Sequence, residues 1–271
     1  MAGPALHIKY IRGSAIGFAA GMTLGCCGWG GAQIIVPSLT TRTMGYSQVA
    51  AASTSITSLS CASTVAASGF FLAGSADMYT AACIAVPSML GARVGVALSN
   101  RLSQEALGLI FNGMSCLLIP THFAVQQWRE RHPHAVTEGA LERAGRLIRP
   151  TEHADWATAE PNLSAAPRHA CFGVLSGVLS ALMGVGGAPL TMSYLTVATD
   201  TPHHLVQGTT MLAVLPAVVT SAVSHALAGH TPMALAASVC CGSMAGTAAG
   251  TLTRIGASPS SGYSSVLDDH R

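Results

Sequence analysis

The six residues Gly28-Trp29-Gly30-Gly31-Ala32-Gln33 recur in altered form as Gly184-Val185-Gly186-Gly187-Ala188-Pro189. Each run lies inside a stretch free of Asp, Glu, Lys and Arg, from Gly13 to Thr41 and from His169 to Thr199 respectively. Three glycines within four residues, followed in the second run by a proline, interrupt a helix. A break of this kind strands backbone N–H and C=O groups. Hydrocarbon does not tolerate such groups unless they face protein or a watery cavity.

Hydrocarbon is the expected surroundings. Only 9% of the residues are charged, against roughly a quarter in ordinary soluble domains. Further charge-free stretches run from Thr43 to Ala76, Ala106 to Trp128 and Thr201 to Thr253. These exceed the roughly 18 to 20 residues that cross a bilayer core. Ala, Gly, Ser and Thr dominate them, as suits helices packed closely in lipid. An integral membrane protein follows, with the lipid bilayer as its first partner; which membrane it occupies is not written in the chain.

The net charge of +2 is dispersed between apolar runs, so a nucleic-acid footprint is excluded. The eight cysteines lie in apolar segments without a C-x-x-C spacing. No Ser/His/Asp order, H-E-x-x-H motif or nucleotide loop is present. No enzyme, catalytic residue, metal site or cofactor is therefore expected. The apolar run after Lys9 and Arg12 is too long for a signal-peptide core and reads as a retained first helix.

The similarity between halves extends beyond the glycine runs. Gly17, Gly21, Gly28, Gly30, Gly31 and Ala32 match Gly173, Gly177, Gly184, Gly186, Gly187 and Ala188 at a shift of 156. At a shift of 155, Thr54 and Ser55 fall on Thr209 and Thr210, and Gly91 and Gly95 on Gly246 and Gly250. Ordered identities over such a length predict an internal duplication. The organisation expected is a first membrane repeat at 11–128, a polar linker at 129–168, a second repeat at 169–254 and a polar tail at 255–271. Within the linker, Thr137 to Ile148 reads as a short amphipathic helix or as flexible chain.

Helices are predicted at Gln48–Leu72, Met78–Ser99 and Ala106–Trp128, then at Val206–Ala228 and Met233–Thr253. The second repeat is expected to lack its last helix. The fold class is all-α: a polytopic membrane protein of about seven transmembrane or re-entrant helical units in two repeats with glycine-broken helices. If each broken element turns back, three crossings per unit make the repeats inverted; if it crosses, four make them parallel.

Paired helix breaks are the best sequence pointer to a transporter's binding site. Gly28, Gly30, Gly31 and Gln33, with Gly184, Gly186 and Gly187, are accordingly the first site candidates, since the start of a half-helix offers N–H groups to an anion. The four-residue spacing of Gly17 with Gly21, and of Gly173 with Gly177, reads instead as helix packing. The hydroxyl pairs Thr54-Ser55 and Thr209-Thr210 are candidate neutral donors. Arg93 is a candidate counter-charge, or a residue that snorkels from a helix end. His225 and His230 flank the end of a helix and read as interface histidines ahead of proton carriers. Asp77 reads as a turn or cap.

The chain resembles the sulfite exporter TauE/SafE family, also described as TSUP transporters. The resemblance rests on glycines from Gly17 or Gly21 through Gly31 to Pro37, followed by Thr54-Ser55, and on the second-half repeat of that pattern. Ala32 and Ala188 replace a third glycine, and Ser193 stands where the first half has Pro37. The resemblance implies a permease for a small anion, sulfite or an organosulfur anion, as substrate partner. A homo-oligomer is compatible with it. The alternative is a non-transporting membrane scaffold or receptor derived from such a permease, to which the missing helix gives substance.

Overall fold

A computed structural model describes residues 4–28, 30–74, 76–131, 166–198 and 203–256, and the described residues are all-helical. The linker stretch Thr137 to Ile148 and the polar tail lie outside them. Nine helices are present among the described residues: α1 (Pro4–Cys27), α2 (Ala32–Thr40), α3 (Gln48–Leu72), α4 (Met78–Ser99), α5 (Gln104–Arg131), α6 (Ala166–Met183), α7 (Ala188–Ala198), α8 (His203–Leu227) and α9 (Met233–Gly256). Four of them, α3, α4, α8 and α9, are long and apolar enough to cross a membrane. Leu90, Val94, Val219, Val223 and Leu252 on these helices are exposed, so the outer surface is itself apolar. A bilayer supplies the solvent for such a surface.

Caps and interhelical bonds fix the direction of each helix. Ser47 caps α3 by accepting from Ala50 N, and Asp77 caps α4 by accepting from Tyr79 N and Thr80 N. The Asp77 N–H donates to Thr209 Oγ1 at 2.9 Å, so α4 and α8 begin at the same end of the bundle. At the other end, Ser53 Oγ near the start of α3 donates to the carbonyl of His230, just beyond α8, at 3.0 Å. Val49 N donates to Gln104 Oε1 there as well, placing the start of α5 beside the start of α3. Thus α3 and α5 rise from the His230 end, whereas α4 and α8 descend from the Asp77 end.

The glycine-rich helices pack across the two halves. Gly17 and Gly21 of α1 press on the backbone of α9 at Val239 and Ser243; in return, Gly242 and Gly246 press on α1 at Ser14 and Phe18. Further along, a Cβ on Gly25 would lie 2.6 Å from the Thr247 carbonyl oxygen. Residue numbers rise together, so α1 and α9 are parallel. The same relation joins α4 and α6: Gly173 faces Ile84, Gly177 faces Ser88, and Gly91 and Gly95 face Val174 and Val178. The glycine spacing read as packing is packing.

Both broken elements turn back. Gly31, at the start of α2, abuts Ala20 of α1, and Tyr46 N bonds the Leu39 carbonyl where α2 hands over to α3 at the His230 end. In the second element Gly187 lies beside Ser176, Thr191 Oγ1 is 3.1 Å from Ser176 Oγ, and the Tyr194 hydroxyl is 2.9 Å from His169 Nδ1. The Tyr194 ring also stacks on Phe172. Thus α7 runs back along α6.

Gly21→Ala places a methyl group into the Ser243 backbone and should lower stability by about 1–3 kcal/mol. Gly108→Ala, in α5 with open space at its Cβ, should instead be neutral or stabilising by roughly 0.5–1 kcal/mol. Thermal unfolding of both variants in detergent checks the contrast; equal melting temperatures for the two would contradict the tight α1–α9 crossing.

A candidate anion site at two facing chain reversals

The first reversal begins at Gly28, whose φ of 72° is left-handed and suits glycine. A Cβ there would lie 2.9 Å from Gln207 Cγ of α8. Gln207 is fully buried, and its Nε2 donates to the Gly25 carbonyl at 3.2 Å. That carbonyl belongs to the last turn of α1, where helical donors run out. The other amide atom, Gln207 Oε1, accepts from Arg254 Nε at 3.4 Å. On the far side of the turn, Ile34 N and Ile35 N both reach the Gly31 carbonyl, so Ala32 and Gln33 occupy the first turn of α2. Both side-chain amide atoms of Gln33 are buried without a protein partner.

The second reversal is more sharply wound, with Gly184, Gly186 and Gly187 at φ values of 70°, 78° and 69°. Gly184 packs on the backbone of Ala52, and its carbonyl accepts from Ser55 Oγ at 2.9 Å. Gly186 faces Leu59 and Val218, near mid-length of α3 and α8, while Gly187 faces Ser176 and Ser180. Ser180 is almost fully buried, and its hydroxyl has no protein partner. The reversals touch: a Cβ on Gly30 would stand 2.5 Å from the Val185 carbonyl oxygen and 3.7 Å from Pro189 Cδ.

The polarity of this centre follows from which groups are already used. Ser55 and Gln207 donate to break carbonyls, so they consume acceptors. What remains are first-turn N–H groups of α2 and α7, Pro189 excepted, and the unpartnered buried side-chain groups of Thr210, Ser180 and Gln33, each of which can turn a donor toward a ligand. Helix starts add a partial positive charge. A centre built this way can offer several donors to a small anion without a buried cation.

Residues 13–261 match the family model described as Sulfite exporter TauE/SafE. The chain belongs to this family. No curated protein and no solved structure matches it. Family membership and the four apolar helices make the chain an integral membrane protein of a transporter family.

The family frame does not place every sequence-derived candidate at the centre. Gly28, Gly30, Gly31, Gly184, Gly186 and Gly187 form the two reversals, with Gln33 in the first turn after one and Ser55 bonded to the other. Thr210 lies one helical turn beyond Gln207, on the same face, fully buried and without a protein partner. Thr54 spends its hydroxyl on the Ala50 carbonyl of its own helix, and Thr209 accepts from the Asp77 N–H at the bundle end. Arg93 is exposed, whereas Gly91, Ala92 and Gly95 beside it are buried. Gln207, Arg254 and Ser180 went unnoticed in the sequence. An amide inside a charge-free run, directly preceding Gly208-Thr209-Thr210, is the signal that could have found Gln207.

Ser55→Ala orphans the Gly184 carbonyl and should destabilise by about 1–3 kcal/mol. Thr54→Val keeps the buried side-chain volume and removes only a bond to its own helix, so it should cost less than about 0.5 kcal/mol. Thermal unfolding of the two variants side by side tests whether Ser55 braces the second reversal.

Proposed function

We propose that the chain is a permease for a small sulfur-containing anion, sulfite or an organosulfonate, held between the two reversals. The observation carrying this reading is the contact of Gly30 with the Val185 carbonyl, which brings both breaks together beside two helix starts and buried polar side chains that have no protein partner. The family description names sulfite as its exported substrate. Small oxyanions of this kind are recognised through several N–H and O–H groups at once.

The architecture supporting transport is, in this reading, a pair of inverted repeats. α1 with α2, then α3, α4 and α5, make the first unit within 11–128; α6 with α7, then α8 and α9, make the second within 169–254, joined by the linker at 129–168. Matched helices run oppositely: α3 rises from the His230 end while α8 descends toward it, and α4 descends while α9 rises. Re-entrant hairpins meeting from opposite sides are the arrangement through which such repeats alternate access. Seven units result, counting each hairpin once.

Purified protein in proteoliposomes should show saturable sulfite flux. Gly30→Ala should lower that flux by more than about tenfold while the protein still unfolds cooperatively, because the methyl group forces the reversals apart. Gly108→Ala, remote from any contact, should transport as the parent does. Absence of saturable flux from folded, correctly inserted parent protein would remove the transport reading.

A further inference from the structure

An open cavity of about 390 Å³ sits at the His230 end, with Ser47, Ala50, Ser99, Asn100, Gln104 and His230 among its lining residues. From its wall the His230 ring faces the His225 ring, centroids 5.9 Å apart. His225 is 2% exposed, and its Nε2 lies 3.4 Å from the Ala181 carbonyl of α6, three residues before Gly184. A carbonyl only accepts, so this contact assigns the proton to Nε2 and leaves Nδ1 as an acceptor. Nδ1 of His225 and Nδ1 of His230 are both buried without a protein partner.

The polar row does not stop at His225. Ser221, one turn earlier on the same face of α8, is fully buried with an unpartnered hydroxyl. Val218, another turn on, touches the position of a Cβ on Gly186. From α6, the unpartnered hydroxyl of Ser180 lies beside Gly187. Orphaned polar groups are rare in protein interiors and expensive in a membrane. Here they run from an open cavity along one face of α8 to Ser221, with Ser180 of α6 beside the second reversal.

We propose that His230 and His225 form a proton-entry path to the second reversal, and that His225 carries the proton that accompanies the transported anion. The inference rests on the transport reading. The step is a proton transfer without redox change: a proton entering from the cavity by way of His230 forms an N–H bond at His225 Nδ1, while Nε2 keeps its own. The resulting imidazolium supplies a positive charge beside the second reversal. When the anion leaves, the Nδ1–H bond breaks as the proton passes to an oxygen of the departing sulfite, and the two leave together.

His225 has one facing titratable neighbour among the described residues. His230 is the titratable group that faces it. The other ionisable groups of α3, α4, α6, α7 and α9 lie elsewhere: Asp77, Tyr79, Cys83, Arg168, His169, Cys171 and Tyr194 belong to the Asp77 half, Arg254 closes α9 at that same end, Arg93 is exposed on α4, α3 carries only Cys61, and α9 carries Cys240 and Cys241.

The test compares parent protein, His225→Gln and His230→Gln in proteoliposomes loaded with sulfite, following sulfite flux and internal pH together. Sulfite itself takes up a proton near neutrality, so the readout is the parent-to-variant ratio, in which the substrate's own titration cancels. That ratio should fall by about tenfold between about pH 5 and about pH 7.5 for His225→Gln, because the parent gains its cation only on the acid side. His230→Gln, at the cavity wall, should shift the same ratio in the same direction and serves if His225→Gln fails to unfold cooperatively. A pH-independent ratio for the folded variants, or undiminished proton movement with them, overturns the proposal while leaving sulfite transport intact. Absence of sulfite flux in the parent removes the transport reading, and this inference with it.

Discussion

A helix that reverses inside hydrocarbon must find partners for the backbone groups it exposes, and each group left bare costs several kcal/mol. This constraint explains why hydroxyls and an amide stand where an apolar core would ordinarily have aliphatic side chains. Ser55 and Gln207 reach from α3 and α8 to the carbonyls of the opposite half's reversal. They do so from corresponding faces, since Gln207 packs on Gly28 as Ala52 packs on Gly184, with both pairs related by the sequence shift. The donors not consumed by this bracing then become the chemistry of the centre.

Bracing of this kind works only if the hairpins cannot swing. Each long hairpin arm is clamped by a long helix of the other half, α1 by α9 and α6 by α4, through glycines that bring backbones into contact on both sides of the crossing. In lipid such contact is driven by dispersion and not by exclusion of water, so it requires small residues along the whole seam. One consequence is that neither half is a self-sufficient domain. Loss of one α9 glycine loosens the arm that presents Gly28, although the residue itself is far from the reversal.

Much of this was legible in the sequence because membrane helices announce themselves by the absence of charge. The expected limits of α3 and α4 coincide with the observed ones, and the glycine runs coincide with the breaks. Direction was not legible: hydropathy reads the same whether the chain after Gly31 crosses or returns, and only contacts such as Gly31 with Ala20 decide it. Hydroxyl roles were equally hidden, because Thr54 and Ser55 differ in which way they face and not in kind. Arg93 was more accessible than its treatment as a counter-charge implied. Two residues from both Gly91 and Gly95, it falls on the face opposite the packing seam, which helical periodicity alone places outward.

The two reversals are related without being equal, and their inequality bears on binding from each side. The first has one left-handed glycine and is tied through Gln207 to the permanent charge of Arg254 toward the Asp77 end. The second has three left-handed glycines and is approached through neutral hydroxyls from the His230 end, with an imidazole where the first has a guanidinium. A guanidinium stays charged at every physiological pH, whereas an imidazole is charged only on the acid side of neutrality. In the proposed transport cycle, an anion held between two such hairpins would meet a fixed attraction on one side and a conditional one on the other. An exact internal symmetry would make the two access states equivalent; the placement of Arg254 and His225 removes that equivalence, so in the proposed cycle the two sides bind the anion with different strength while the gradients alone set the net direction.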